Sequence, residues 1–347
     1  MIDALRQALA AAGLPGAGGP IEPLADTGLA HLHLRLVGTG RLARVPKQSQ
    51  MGLAPGAHLA YEAACFRQAE RSGHTPLLHA VLAPSPELPR GALLVDDVPG
   101  RPLRLPQDLP ALVTALAHLH ALPLAGDAGP LLTPQDPLAA LAADIDEQAL
   151  HLPAAGLQPA ALACITHERT RLRQLLQRPA RPPRHLIVFD AHPGNFILHA
   201  DGRAVLVDLE KARHGAAALD LAHATLYTST TWDRHSHAVL DDAQVLQAAR
   251  QWLQALSALG ANPDAERPWV APLRRAMWLW SVTWCAKWRV QSARPADAAA
   301  AGEDWSADLS EAALVAHVKD RVDHYLTAAI VQHACTQADR LAQALQA

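Results

Sequence analysis

The stretch VFDAHPGNFIL (188–198) sets Asp190 and Asn195 five positions apart between two apolar runs. A carboxylate at the mouth of a short apolar strand can receive a proton. An amide oxygen and a second carboxylate held close by can share one divalent cation, as Mg²⁺ prefers. The second carboxylate follows shortly. FILHADGRAVLVD (196–208) reads as a β-hairpin, because Asp201-Gly202 between two alternating apolar runs is a strong tight-turn signal. A two-residue turn there sets Ala200 opposite Arg203 and therefore Asn195 opposite Asp208, with side-chain bases about 4.5–5.5 Å apart. Asp, Pro, Gly and Asn are also what turns are made of, so loop formation alone would account for the first motif. Asp208 at the facing register, together with a basic strand upstream, gives the loop a chemical reading: Asp190 as a base beside a metal held by Asn195 and Asp208.

Several elements must position these groups. HLIVF (185–189) is a short apolar strand that runs into the loop. Upstream, HLHLRLV (31–37) alternates, with Leu32, Leu34 and Leu36 on one face, and GTG (38–40) leads to a return strand RLARVPK (41–47). Leu59, Ala63, Phe66 and Ala69 fall near helical spacing in 57–71, and GALLVDDV (91–98) is a further strand ending in the turn PGRPL. From about residue 107 the texture changes to Ala/Leu helices broken by proline, interrupted only near 185–209. The expected architecture is α+β and bilobal. Residues 1–98 form a small, β-rich amino-terminal lobe. Residues 99–347 form a larger, mostly helical lobe with a short β-hairpin at the active site.

The order catalytic Asp, then Asn, then an Asp at the end of a hairpin is similar to the protein-kinase pattern. In the form D-A-H-P-G-N followed by V-D-L-E it resembles the aminoglycoside phosphotransferase and choline kinase superfamily, over roughly residues 22–330. That resemblance implies a protein-kinase-like fold and ATP-dependent phosphorylation of a small-molecule hydroxyl. Asp190 would be the catalytic base, Asn195 and Asp208 would hold Mg²⁺, and Asp220 in ALDLA (218–222) would brace the catalytic loop. It further implies that Arg44 or Lys47 clamps the phosphates, that Glu62 on the next helix partners that cation, and that backbone at Asp96, Asp97 and Val98 reads the adenine edge. LADTGLAHLHLRL (24–36) occupies the place of the phosphate-covering loop without being glycine-rich. Relatives usually carry His-Gly-Asp where this chain has Val188-Phe189-Asp190, which puts the bracing of the loop in question. A kinase fold that binds nucleotide without turnover, a regulatory protein, is the alternative.

Composition narrows the partners. With 30 basic and 33 acidic residues the chain carries a formal charge of −3, and the basic residues form no run, so neither nucleic acid nor an anionic membrane is expected to bind. MIDALRQALAAAGLPG carries Asp3 and Arg6 where a signal peptide needs an apolar run, and no stretch approaches a bilayer span. A cytoplasmic protein is expected. The four cysteines, Cys65, Cys164, Cys285 and Cys335, lie far apart and read as buried free thiols. The 19 histidines are dispersed, so a metal hydrolase is a poor reading. His192, before Pro-Gly, reads as a hydrogen-bonded loop residue. Trp280, Trp284 and Trp288 share one helical stripe, which is either core packing or an aromatic wall for a cationic acceptor such as an amino alcohol or aminoglycoside. EDWSAD (303–308) could add carboxylates for the amine. The oligomeric state is left open by the sequence.

Overall fold

Alternating leucines build the smaller lobe. The computed structural model describes residues 1–24, 30–49, 51–124, 126, 128–292 and 312–346. After helix α1 (Ile2–Ala11) come β1 (Ile21–Pro23), β2 (His31–Leu36), β3 (Arg41–Pro46), helix α2 (Pro55–Ala69), β4 (Leu78–Leu82) and β5 (Ala92–Asp96). The five strands form one sheet in the order β1-β2-β3-β5-β4, with every pairing antiparallel. Leu34, Leu36, Ala43, Val45 and Leu94 turn one face of it toward Leu5 and Leu9 of α1, all of them buried. Because side chains alternate along a strand, His31, His33, Arg35, Leu42 and Arg44 face the opposite way, into a cleft. The β2–β3 register pairs His33 with Arg44. Proline at the first position of α2 starts the helix, and Leu59 and Phe66 pack with Leu93 and Val95.

The larger lobe begins with β6 (Arg101–Pro102), α3 (Leu109–His120), α4 (Pro137–Gln148) and α5 (Pro159–Leu176). Four short strands follow: β7 (His185–Ile187), β8 (Phe196–Leu198), β9 (Ala204–Leu206) and β10 (Arg213–Gly215). Helices complete the chain: α6 (Ala218–Thr225), α7 (Tyr227–Thr230), α8 (Asp242–Ala258), α9 (Pro263–Glu266), α10 (Val270–Gln291), α11 (Ala312–Tyr325) and α12 (Ala328–Gln346). Helix α10 is buried on most of its circumference and touches α4, α5, α6, α11 and α12, as expected of a helix that is apolar nearly all round. The bilobal, kinase-like α+β architecture expected from the sequence is the one observed. Among the described residues no helix is long and apolar enough to cross a membrane.

Two expectations are corrected. The 196–208 hairpin forms, but its loop has three residues, not two. The His199 amide donates to the Arg203 carbonyl (2.9 Å), the Gly202 amide to the His199 carbonyl (3.0 Å), and Gly202 takes φ 87°. The left-handed glycine absorbs an extra residue, and the Asp201 carboxylate fixes the bend by accepting from the Arg203 amide (3.0 Å). Pairing is therefore Phe196 with Leu206 and Leu198 with Ala204. Asn195 lies opposite Val207, whose amide donates to the Asn195 carbonyl (2.9 Å), and Asp208 comes one residue later. The second correction concerns the thiols. Cys65 and Cys285 are free and buried, but Cys164 on α5 and Cys335 on α12 are joined in a disulfide, 171 residues apart in sequence.

Candidate active site

Strand β7 delivers the loop, and Asp220 shapes it. Fully buried at the start of α6, Asp220 accepts the amides of Val188 (2.7 Å) and Phe189 (2.8 Å) on its two oxygens. Its third partner is His120 Nε2 (3.1 Å). Trp252 Nε1 donates to His120 Nδ1 (3.0 Å). An indole can only donate, so the His120 proton sits on Nε2 and points at Asp220. The bracing role expected for Asp220 is thus visible in its contacts. Phe189 has φ 63°, the left-handed region that costs a side chain energy. Its ring is held edge-on by Trp280 (5.1 Å between centroids) and faced by the Arg213 guanidinium (4.0 Å).

Asp190 opens into the cleft beyond this brace. Lys211 Nζ donates to its Oδ2 (2.9 Å), and His223 Nδ1 lies 3.8 Å from Oδ1. Burial alone would raise the Asp190 carboxyl, but the charges of Lys211, His192 and His223 outweigh it and hold the group well below the usual carboxylate range. Burial pushes His223 down to about 4. The Asn195 side-chain nitrogen donates to the Asp190 carbonyl (2.9 Å), which leaves its oxygen for another partner. His192 does what a loop histidine would, its ring accepting from the Gly194 amide (3.2 Å), while also lining the cleft. Only glycine fits at 194, because a Cβ there would stand 2.8 Å from that of Asp233.

Across the cleft, Arg44 is 3% exposed and ties the two lobes together. Its Nη2 donates to Asp208 Oδ1 (2.8 Å) and its Nη1 to the Val207 carbonyl (2.9 Å). Burial opposes its charge, but Asp208, Glu62 and Glu210 more than compensate. Arg44 lines the cleft; Lys47, past the end of β3, is not among the lining residues. Glu62 is buried nearby, yet its ion pairs among the described residues are with His31 (2.6 Å) and His58 (3.3 Å) in place of the expected Arg44. His31 stands between them, its Nδ1 3.4 Å from Arg44 Nη2. Burial would raise the Glu62 carboxyl, but His31, with help from His58 and Arg44, outweighs it and holds the group below its ordinary range. The Asp96 and Asp97 carboxylates are spent on His79 and Arg35. Their amides donate to the Leu77 and Gly40 carbonyls. That leaves the Val98 amide without a hydrogen-bond partner among the described residues, and Val98 lines the cleft.

The cleft measures about 500 Å³. Trp232, Trp280, Trp284 and Tyr325 line one end of it, with Trp232 packed edge-on against Trp284 (5.9 Å). Trp288, the third member of the stripe, is buried in the core. The 303–308 segment and residues 25–29 of the candidate phosphate loop lie outside the described residues.

Sequence reasoning missed His31, His33, His58, Glu210, Lys211 and His223. Five of them carried a signal. His31 and His33 occupy the non-leucine face of an alternating strand, and His58 sits one helical turn before Glu62. Glu210 and Lys211 come two and three residues after the motif Asp208. Burial first, then Asp208, raises the Glu210 carboxyl well above its usual range.

A kinase-like cleft with an ionised carboxylate at its floor and a buried guanidinium on its roof is the arrangement of a small-molecule phosphotransferase. Residues 35–238 match the model of the phosphotransferase enzyme family, and the chain belongs to that family. No curated protein sequence matches it. Solved structures share the fold at low identity. A choline/ethanolamine kinase family protein from Mesorhizobium loti is 18% identical, with TM-score 0.58 over 97% of this chain and 98% of that one. A macrolide 2'-phosphotransferase from Brachybacterium faecium is 17% identical, with TM-score 0.55 over 92% and 98%. An ethanolamine kinase from Plasmodium vivax is 10% identical, with TM-score 0.58 over 89% and 83%.

Proposed function

We propose that the chain transfers the γ-phosphoryl group of ATP to a hydroxyl of a small, amine-bearing molecule, an amino alcohol or an aminoglycoside. The observation that carries this is the ionised Asp190 in the same cleft as Arg44, Asn195 and Asp208. The nucleotide base meets the Val98 amide at the hinge between the lobes, and the phosphates meet Arg44. Asn195 and Asp208 fit a divalent cation: the amide oxygen of Asn195 is left over, and Asp208 Oδ2 has no hydrogen bond among the described residues. Mg²⁺ bound there would neutralise charge on the phosphate oxygens. Asp190 orients the acceptor hydroxyl and takes its proton as the oxygen bonds to the γ-phosphorus. The bond to the β-bridging oxygen breaks and ADP leaves. Because such transition states are loose, positioning and charge supply most of the catalysis. Lys211 keeps Asp190 anionic and adds positive charge beside the transferred group. The aromatic end receives the amine, since ring faces attract cations.

ADP formation over a panel of amino alcohols, sugars and aminoglycosides tests this, with ATP binding measured in parallel. Acceptor-dependent ADP with at least one amine-bearing alcohol is the expected result. ATP binding without turnover on any acceptor would replace it with the non-catalytic nucleotide-binding reading.

A further inference from the structure

One ligand atom each from His31, Asp208 and Glu210 lie within 4.8 Å of one another. His31 is 3% exposed, and its Nε2 is bonded to Glu62 Oε1 at 2.6 Å. Its Nδ1 turns to Glu210 Oε2, 3.7 Å away. A histidine backed by a carboxylate with its other nitrogen facing acids is the arrangement that orients metal-binding imidazoles. Glu210 Oε2 and Glu62 Oε2 are buried and have no hydrogen-bond partner among the described residues, an expensive state for a carboxylate oxygen unless a cation belongs there. Four carboxylates, Glu62, Asp190, Asp208 and Glu210, share this region with two permanent cations, Arg44 and Lys211. Arg44 Nη2 already reaches between Asp208 Oδ1 (2.8 Å) and His31 Nδ1 (3.4 Å). When phosphates draw Arg44 away, both atoms are released together.

We propose that the cation held by Asp208 is also bound by His31 and Glu210, so that the site prefers a divalent transition metal such as Mn²⁺ to Mg²⁺. An imidazole nitrogen favours first-row transition metals, whereas an all-oxygen set suits Mg²⁺. Glu62 acts behind His31, fixing its ring and directing Nδ1 at the ion. The inference rests on Asp208 being a metal ligand, as in the proposed function.

The test is pulsed EPR of chelator-treated protein given Mn²⁺ and pyrophosphate, which occupies Arg44 and brings no nitrogen. The wild-type spectrum should show ¹⁴N coupling from one imidazole, lost in His31→Gln, and Mg²⁺ should displace the Mn²⁺ only at large excess. Bound Mn²⁺ without nitrogen coupling, coupling that survives in His31→Gln, or displacement by equimolar Mg²⁺ would overturn it. The wild-type spectrum needs no variant, so a poorly folded His31→Gln does not decide the matter. Asp208→Ala separates the two claims. If it abolishes metal binding while the wild type lacks nitrogen coupling, this inference alone fails. If metal binding and metal-dependent turnover both survive Asp208→Ala, the underlying reading of Asp208 fails.

Discussion

The carboxylate of Asp220 accepts the backbone amide of Phe189 at 2.8 Å, and so holds a phenylalanine at φ 63° one residue before Asp190. Glycine adopts this conformation freely, whereas a side chain there costs energy. Here the ring contacts with Trp280 and Arg213 accompany the strain. Phe189→Ala and Phe189→Gly both lose the buried ring, at about 3 kcal/mol or more. Only the glycine also relieves the backbone, so it should be more stable than the alanine by about 1–2 kcal/mol in chemical denaturation. Equal stability of the two would show that the loop is not strained at 189.

Two histidines of the cleft should make the fold acid-sensitive in a defined window. His33 is pushed down to about 3 by burial first and then by Arg44, and His223 to about 4 by burial. Their folded values lie below the unfolded 6.5, so the unfolded chain binds more protons between the two. The stability they contribute is complete above pH 6.5 and is lost as pH falls toward 4. For His223 the loss approaches ~3 kcal/mol. Glu210 runs the other way, its contribution fading as pH rises, because its carboxyl is raised. Unfolding free energies of wild type and His223→Asn, measured from pH 7 to 4.5, should diverge at neutral pH and converge in acid. Parallel curves would remove His223 from the account.

The two free thiols should be inert while the protein is folded. Burial raises Cys285 to about 12 and Cys65 further still, and only the thiolate reacts with alkylating agents. Iodoacetamide at pH 8 should leave both unlabelled in native protein and modify both in denaturant, as read by mass spectrometry. Rapid native labelling of Cys285 would mean that the aromatic end of the cleft opens to solvent.

Trp280 and Trp284 line the cleft, and their stripe-mate Trp288 is core. Trp284→Leu should raise KM for a cationic acceptor roughly 2- to 30-fold, the range of a ring–cation contact. KM for ATP should change little. Steady-state kinetics with a charged and an uncharged acceptor separates the cation contact from general packing loss: equal effects on the two would leave Trp284 a shape-filling residue only.

Much of this organisation was legible in local pattern. Period-two leucines in 31–37 and the Asp-Gly bend at 201–202 revealed both hairpins, and ALDLA marked Asp220. What the pattern could not supply was loop length. Gly202 in a left-handed conformation takes up one more residue than a two-residue turn, which moves Asn195 from Asp208 to Val207. Nor could it show which groups converge from distant segments. Glu62 meets His31 rather than Arg44 because a strand residue intervenes between helix α2 and strand β3, and Cys164 meets Cys335 because α12 returns to α5. Period and composition describe a face; they do not say what lies opposite.

Transfer of label from γ-³²P-ATP to an amine-bearing alcohol, by wild type and by Asp190→Asn, tests the central claim most directly. The wild type should produce labelled acceptor, and Asp190→Asn should slow it by ~10²-fold or more, the scale of a lost catalytic base, with ATP affinity little changed. A labelled product formed at the wild-type rate by Asp190→Asn would contradict the assignment of Asp190 as the base.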